Sequence, residues 1–240
     1  MSTRFEELDW QSTPIGAVSL RRRHDPVFDA EVYEVKLDDD FLMSSLFTAA
    51  EVAVATLPLA NLAGTDLDVA VGGLGLGYTA LAVLEDSRVR SLIVVEALGA
   101  VIDWHTRAMV PAGAVLTADP RCRFVLGDFM AMTNAGPGLD PQTPGRRFDA
   151  IIVDIDHSPS HLLHPSHATF YTQSGLRQLA RHLRPGGVFA LWSNDPPEPD
   201  FLATLGGAFA TVDAEIVHFR NRLQGGDAAN TVYLARLATA

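Results

Sequence analysis

A short apolar strand that runs directly into a glycine-rich turn constrains the fold of this chain more than any other segment. Residues 68–72 read Asp-Val-Ala-Val-Gly, and Gly73, Gly75 and Gly77 occupy alternate positions before a helical pattern begins. Glycine is needed where the chain turns sharply and where a ligand must lie against bare backbone. The segment therefore predicts a ligand site at the end of a strand in an α/β sheet.

From residue 66 onward, near-continuous apolar strands alternate with helical stretches, which predicts a parallel sheet covered on both faces. Two alternating segments near the C-terminus predict a terminal antiparallel pair. The expected fold class is α/β with a mostly parallel seven-stranded sheet, and a dinucleotide-binding Rossmann domain of ordinary strand order is the alternative. The predicted strands are Leu67–Val71, Ser91–Val95, Arg123–Leu126, Ala150–Val153, Val188–Trp192, Val212–Phe219 and Thr231–Leu237, and the predicted helices are Leu76–Glu85, Ala97–Met109 and Ala168–Leu183.

The residues before this sheet form a separate unit with β character. Alternation of apolar and polar residues predicts strands at Ile15–Leu20 and Glu31–Leu37. The intervening residues Arg21–Asp29 are charged, which predicts a small β hairpin with a long connecting loop.

A linking helix follows the hairpin. Ser44 or Ser45 is expected to cap its beginning and Pro58 to end it, since serine accepts from free helix N–H groups and proline interrupts the helical ladder. We assign residues 1–60 to the hairpin and linking helix, and residues 61–240 to the domain that contains the sheet.

Composition excludes several classes of function. The chain has 18 Lys and Arg against 29 Asp and Glu, a formal net charge of −11, whereas a nucleic-acid partner requires clustered cations. The single cysteine, Cys122, excludes an internal disulfide framework and any CxxC site. The apolar stretch 46–62 is interrupted by Glu51, Pro58 and Asn61, and no charged-then-apolar leader opens the chain. We therefore expect no membrane partner and a cytoplasmic location.

Polar residues follow the ends of three further strands of the predicted sheet. Glu96 ends the second strand, about twenty residues after the glycine turn, where an acid can accept from both hydroxyls of a ribose. Asp128 follows the third strand and can accept from an exocyclic adenine amine, while Phe129 covers the ring. Asp154 follows the fourth strand. Because the carboxyl ends of parallel strands meet at one edge, these residues predict a nucleoside site there.

The spacing of the glycines separates two kinds of cofactor. Dinucleotide-binding folds use GxGxxG, whose last glycine lets the helix approach beneath a pyrophosphate. Here the spacing is GxGxG, position 78 is Tyr, and no basic residue stands near the turn to meet a phosphate. An adenosine ligand without phosphate fits better, which points to S-adenosylmethionine or a relative of it.

Together these segments resemble class I S-adenosylmethionine-dependent methyltransferases, and within that group the spermidine synthases and their homologues. The resemblance implies a Rossmann-like class I methyltransferase fold, a small-molecule substrate and a homodimer. It also supports a cofactor site built from Gly73, Gly75, Gly77, Glu96, Asp128 and Phe129. The resembling segments are Val71–Tyr78, Val94–Asp103, Asp119–Asp128, Arg147–Asp154, Thr169–Tyr171 and Leu183–Gly187.

The chain departs from spermidine synthases at the positions where that family keeps acids. Gly75 replaces the Asp that receives the ammonium of decarboxylated S-adenosylmethionine. Of the Asp-x-x-Asp motif after the fourth strand, Asp154 is retained, but His157 replaces the acid that holds the diamine. The segment that grips the diamine has become Leu-Phe-Thr-Ala-Ala at residues 46–50, which leaves only Glu51 nearby.

The lost acids change the charge of the substrate that the site is expected to bind. A buried dication needs carboxylate partners, so the loss of acids disfavours a diamine. We therefore predict a spermidine synthase-like methyltransferase that uses S-adenosylmethionine and acts on a small-molecule acceptor. The first alternative is a polyamine aminopropyltransferase that uses decarboxylated S-adenosylmethionine, and the second is a non-catalytic nucleoside-binding homologue.

Asp154 and His157 are the predicted catalytic residues. Methyl transfer from a sulfonium requires a positioned nucleophile that loses its proton, and Asp154 is the better candidate to orient or deprotonate it. His157 ranks second because the pKa of histidine lies near neutrality. The segment 157–167 holds four of the eight histidines. Pro159 and Pro165 prevent one helix from aligning those side chains, so we predict a solvated lid and no metal site.

Overall fold

The N-terminal residues form a four-stranded antiparallel sheet in sequential order. The computed structural model describes residues 5–134, 136–221 and 225–239. The strands are β1 (Glu6–Thr13), β2 (Gly16–Asp25), β3 (Ala30–Leu37) and β4 (Asp40–Ser44).

The predicted N-terminal β unit is confirmed, but it has four strands where two were predicted, and the connection from β2 to β3 is short. Arg21, Arg22 and Arg23 lie within β2 and not in a loop. Cross-strand acids stabilise the arginines there: Arg22 bonds Glu6 of β1 at 2.5 Å, and Arg23 bonds Glu34 of β3 at 2.7 Å. Opposite charges on facing strands make this run of cations compatible with a strand.

The linking helix α1 (Ala49–Ala60) begins later and ends later than predicted. Ser44 ends β4, and the Ser45 hydroxyl accepts from the N–H of Tyr33 at 2.9 Å, so neither serine caps the helix. Pro58 lies inside the last turn and does not end it. The prediction failed here because Ser44 belongs to β4 and Ser45 is bonded to β3.

The second sheet has seven strands in the order β10-β11-β9-β8-β5-β6-β7. Six of these strands run in the same direction, and β11 is inserted antiparallel between β9 and β10. This confirms the α/β class I arrangement and excludes the ordinary Rossmann order. The elements are β5 (Leu67–Gly72), α2 (Tyr78–Glu85), β6 (Val89–Glu96), α3 (Gly99–Thr106), α4 (Gly113–Ala118), β7 (Cys122–Leu126), α5 (Phe129–Asn134), β8 (Phe148–Val153), α6 (Gln173–Ala180), β9 (Leu183–Ser193), α7 (Pro199–Gly206), β10 (Thr211–Asn221) and β11 (Gly226–Arg236), with a 3₁₀ turn at Pro165–Thr169.

All seven predicted strands are found, but three helices were missed. The missed helices α4, α5 and α7 have six to eight residues, which is too short for apolar periodicity to be recognised. The predicted helix 168–183 shrinks to α6, because a 3₁₀ turn precedes it and Leu183 already belongs to β9.

The core lies on both faces of the larger sheet. Val69 and Val71 of β5 pack on one face with residues of α1, α2 and α3, whereas Ala70 packs on the other with residues of α5, α6 and α7. This two-sided burial is the reason why the strands read as continuous apolar runs. None of the helices in the described ranges is long and apolar enough to cross a membrane.

A buried ion cluster closes the sheet at the edge opposite the glycine turn. The Asp68 side chain is 2% exposed and accepts from Arg90 at 2.6 Å, Arg146 at 2.9 Å and Arg184 at 2.5 Å. Burial by itself would raise the pKa of Asp68, but these three hydrogen bonds outweigh it and hold the pKa below its ordinary value. The cluster joins strands β5, β6 and β9 to the segment before β8.

We expect Asp68→Ala to lower the free energy of unfolding by about 3 kcal/mol, because it leaves three guanidinium groups without their common partner. Denaturant unfolding followed by circular dichroism measures this change. The exposed neighbour Asp66, replaced by Asn, is the matched control and should change the free energy of unfolding by less than about 0.5 kcal/mol. Equal effects of the two substitutions would contradict a stabilising role for the cluster.

Candidate functional site

A cavity of about 640 Å³ lies over the carboxyl ends of β5, β6, β7 and β8. Its opposite wall comes from β4, the segment before α1, and the β10–β11 pair. Seven of the eight predicted site residues line this one cavity, namely Gly73, Gly75, Glu96, Asp128, Phe129, Asp154 and His157. Gly77 does not line it.

The three glycines of the turn have positive φ angles of 94°, 47° and 90°, which favour glycine over residues with a Cβ. A Cβ on Gly73 would collide with the backbone carbonyl of Asp154, so β5 and β8 approach closely there. A Cβ on Gly77 would meet His105, Leu116 and Ala112. Gly77 therefore serves helix packing, while Gly73 and Gly75 face the cavity.

The position beside Gly75 is occupied by Met43 of β4. A Cβ on Gly75 would overlap the Met43 sulfur, and the N–H of Leu76 donates to that sulfur at 3.0 Å. The small N-terminal sheet thus contributes directly to the cavity. A side chain larger than hydrogen at position 75 would displace Met43.

Glu96 binds the backbone of the glycine turn. Its carboxylate is 8% exposed and accepts from the N–H of Leu74 at 2.9 Å and of Leu98 at 2.8 Å. Burial raises the pKa of Glu96, and these backbone hydrogen bonds oppose the increase. The contacts fix the carboxylate at the cavity wall, and its predicted contact with ribose hydroxyls stays a prediction.

Asp128 and Phe129 begin α5 at the same edge. Asp128 is exposed at the cavity and accepts from the N–H of Ala131 at 3.1 Å. The Phe129 ring is 2% exposed and fills the space where a Cβ on Gly72 would lie. One acidic group and one aromatic ring are thus adjacent, as contacts with an adenine require.

Asp154 lies opposite Glu51 of α1, and this carboxylate pair is the most unusual electrostatic feature of the cavity. The Thr79 hydroxyl donates to Asp154 at 2.7 Å. Burial, followed by repulsion from Asp154, raises the pKa of Glu51 to about 8. Burial also raises the pKa of Asp154, and the hydrogen bond from Thr79 opposes this increase. Among the described residues, neither carboxylate has a Lys or Arg ion-pair partner, so no cation offsets the burial that favours their protonated forms.

His157 is anchored beside Asp154 through its backbone. Its carbonyl accepts from the N–H of Asn194 at 2.7 Å, and its N–H donates to the carbonyl of His161 at 3.1 Å. These bonds tie the segment after β8 to the loop after β9. The two predicted catalytic residues therefore share one wall of the cavity.

A network that sequence reasoning missed lies behind this wall. Asp156 is 2% exposed and accepts from His167 Nδ1 at 2.8 Å, from the Tyr171 hydroxyl at 2.9 Å and from the N–H of Leu163 at 2.7 Å. The bond to Asp156 raises the pKa of His167, which lines the cavity. The only sequence signal was the histidine-rich segment itself. Within the described ranges, no three His, Cys, Asp or Glu side chains are grouped as metal ligands.

Comparison with known proteins finds the fold but no close relative. No protein-family model and no curated protein matches the sequence. A spermidine synthase from Thermotoga maritima matches with a TM-score of 0.72 and 18% identity, over 98% of this chain and 74% of that one. A spermidine synthase in complex with the transition state analogue AdoDATO matches with a TM-score of 0.71 and 17% identity, over 98% and 73%. The chain therefore has the spermidine synthase fold, which confirms the resemblance at the level of structure.

We expect Glu51 to make stability depend on pH. The pKa of Glu51 in the folded chain, about 8, exceeds its ordinary value of 4.5, so the folded state binds the proton more tightly. The stabilisation that protonated Glu51 contributes is fully present below about pH 4.5. It is lost as the pH rises from there to 8, and the free energy of unfolding falls by at most about 1.4 kcal/mol per pH unit. Glu51→Gln should reduce that slope, as measured by urea unfolding at pH 5.5 and 7.5.

The exposed Glu85 at the end of α2 supplies the matched control. Glu85→Gln should leave the pH dependence of unfolding unchanged. An unchanged slope in Glu51→Gln as well would show that the carboxylate pair holds no proton.

Proposed function

We propose that this protein transfers an aminopropyl group from decarboxylated S-adenosylmethionine to an amine. The observation that carries the proposal is the charge of the cavity. Glu51, Glu96, Asp128 and Asp154 line it, whereas no Lys or Arg does so within the described part of the chain. Such a cavity attracts cations and disfavours anions.

This charge distribution bears on the identity of the donor. Intact S-adenosylmethionine has a carboxylate, which would lie in a cavity with four acids. Decarboxylated S-adenosylmethionine has none and carries two positive centres, the sulfonium and the ammonium. The sequence alone favoured methyl transfer because Gly75 replaces an acid. Glu51, which interacts with Asp154, now offers another partner for a donor ammonium, which favours the aminopropyl alternative.

The residues that meet the nucleoside fit this donor. Glu96 is held at the wall by two backbone N–H groups and can accept from ribose hydroxyls. Asp128 can accept from the adenine amine, while Phe129 packs under the base. Gly73 and Gly75 line the same end of the cavity. The fold shared with a spermidine synthase that binds AdoDATO is consistent with this placement.

The chemistry requires a neutral amine in line with the carbon that is attacked. The amine nitrogen forms a bond to the propyl carbon attached to sulfur, the C–S bond breaks, and its electron pair returns to sulfur to give the neutral thioether 5′-methylthioadenosine. The surplus proton of the amine passes to a carboxylate. Asp154 can accept this proton because its pKa is raised, and Thr79 orients its oxygen.

Methyl transfer from S-adenosylmethionine is the second candidate, favoured by one observation. Gly75 carries no acid, and Met43 fills the adjacent space with an uncharged thioether. A donor tail that passes Gly75 would thus meet no carboxylate from the turn. Both candidates use Asp154 in the same way but differ in the donor and in the group that moves.

Calorimetry with the two donors, followed by mass spectrometry of the products, tests the proposal. We expect decarboxylated S-adenosylmethionine to bind at least tenfold more tightly than S-adenosylmethionine and an amine acceptor to gain an aminopropyl group. Tighter binding of S-adenosylmethionine with methylation of the acceptor would favour the second candidate. Failure to bind either donor would refute both.

Asp154→Asn should reduce kcat roughly 10²- to 10⁴-fold, because the amide cannot accept the proton. The affinity for the donor should change much less, since Asp154 acts on the acceptor. The exposed Asp103 of α3, replaced by Asn, is the matched control and should retain kcat. A wild-type kcat in Asp154→Asn would exclude Asp154 as the base.

Glu96→Gln should weaken binding of 5′-methylthioadenosine roughly tenfold to hundredfold, because an amide accepts less strongly from two ribose hydroxyls. Calorimetry with 5′-methylthioadenosine and with its 2′-deoxy analogue separates the ribose contact from a general loss of structure. If the variant lost affinity equally for both compounds, Glu96 would support the turn without binding the ribose.

A further inference from the structure

We propose that the acceptor is a primary amine with one cationic centre and an apolar alkyl or aryl body, and not a diamine. This inference rests on the proposed aminopropyl transfer. It follows from the number of acids in the cavity and from the apolar residues that line much of the rest of it.

The acids of the cavity are already matched to other groups. Glu96 accepts from backbone N–H groups of the glycine turn, and Asp128 lies beside Phe129 at the nucleoside end. Glu51 and Asp154 remain, two carboxyl groups for two nitrogens: the ammonium of the donor and the nitrogen of the acceptor. No acid is left for a second ammonium. The residues outside the described ranges add none, because they contain no Asp or Glu.

Much of the remaining cavity lining is apolar. Phe47, immediately before α1, packs against Phe219 of β10 with ring centroids 5.6 Å apart, and against Phe28 at 5.8 Å. Phe47 and Phe219 line the cavity together with Val35 and Leu42 of the N-terminal unit. A hydrocarbon or aromatic body gains favourable burial on such a surface.

Apart from the four acids, the polar side chains that line the cavity are hydroxyls, amides, imidazoles and one indole. Asn194 and Asn230 line the cavity, and the Asn230 amide donates to Asn194 at 3.2 Å. An amide oxygen can accept from an ammonium but does not neutralise its charge. Aromatic faces attract a cation, but the free energy of this attraction is smaller than the cost of removing water from the cation. A second ammonium would therefore weaken binding, while a methyl group in its place would strengthen it.

An isosteric pair of acceptors tests this inference. Putrescine and n-pentylamine share one amine and four methylene groups and differ only in a terminal ammonium or methyl group. With decarboxylated S-adenosylmethionine as donor, release of 5′-methylthioadenosine should give kcat/KM at least tenfold higher for n-pentylamine. Each further methylene, up to n-heptylamine, should raise kcat/KM about fourfold, which corresponds to about 0.8 kcal/mol.

Two variants keep the test specific. Phe47→Ala should lower kcat/KM for n-pentylamine about tenfold and leave the calorimetric affinity for the donor within twofold of the wild type. Asn221→Asp places a carboxylate in the cavity lining with little change of shape and should raise the kcat/KM ratio of putrescine to n-pentylamine at least tenfold. The exposed Val52 of α1, replaced by Ala, is the control and should change neither quantity.

The outcomes separate this inference from the proposed function. Equal or preferred use of putrescine by the wild type would overturn the inference and leave aminopropyl transfer standing. If the donor binds but none of the amines in the series causes release of 5′-methylthioadenosine, both the inference and the proposed function are overturned. If Asn221→Asp leaves the kcat/KM ratio of putrescine to n-pentylamine unchanged, the number of acids does not determine the choice of acceptor.

Discussion

The close approach of β5 and β8 at the glycine turn is the constraint on which the site depends. Because Gly73 has no side chain, its backbone lies against the carbonyl of Asp154. This contact brings the beginning of α2 within reach of the end of β8, so that Thr79 can donate to the Asp154 carboxylate. The same turn is held from the other side by Glu96, whose carboxylate accepts two backbone N–H groups. Sheet packing and the cavity are thus determined by the same few atoms.

The electrostatics of the cavity follow from this packing. Asp154 is held in place while α1 brings Glu51 opposite it, and no described Lys or Arg compensates the two charges. Other buried acids have other partners: Asp68 pairs with three arginines, and Glu96 accepts from backbone N–H groups. A buried acidic pair without such a partner is costly in the free chain and becomes favourable when a cation binds. Asp68, with its three arginines, is therefore an acid that stabilises the fold, whereas Glu51 and Asp154 are a pair suited to a ligand.

Local sequence patterns were sufficient to predict the structure where one short segment determines it. The glycine turn, the apolar strands and the polar residues at their ends could be predicted because each depends on its own neighbourhood and on the shared edge of a parallel sheet. Predictions failed where distant residues compete for the same groups. Ser45 resembles a helix cap but accepts from Tyr33 of β3, and the arginines of β2 resemble a loop but pair with acids on adjacent strands. The short helices α4 and α5 are fixed by packing and have too few residues for a periodic signal.

By itself, the sequence determined the α/β class and identified seven of the residues that line the cavity. These depend on the alternation of strands and helices and on glycines that only a tight turn requires. Only the tertiary structure decided what surrounds those residues. It placed Glu51 opposite Asp154, Met43 beside Gly75, and His167 on Asp156. The charge of a cavity is the sum over side chains that are far apart in sequence, and their distances are set by packing, which no local pattern records.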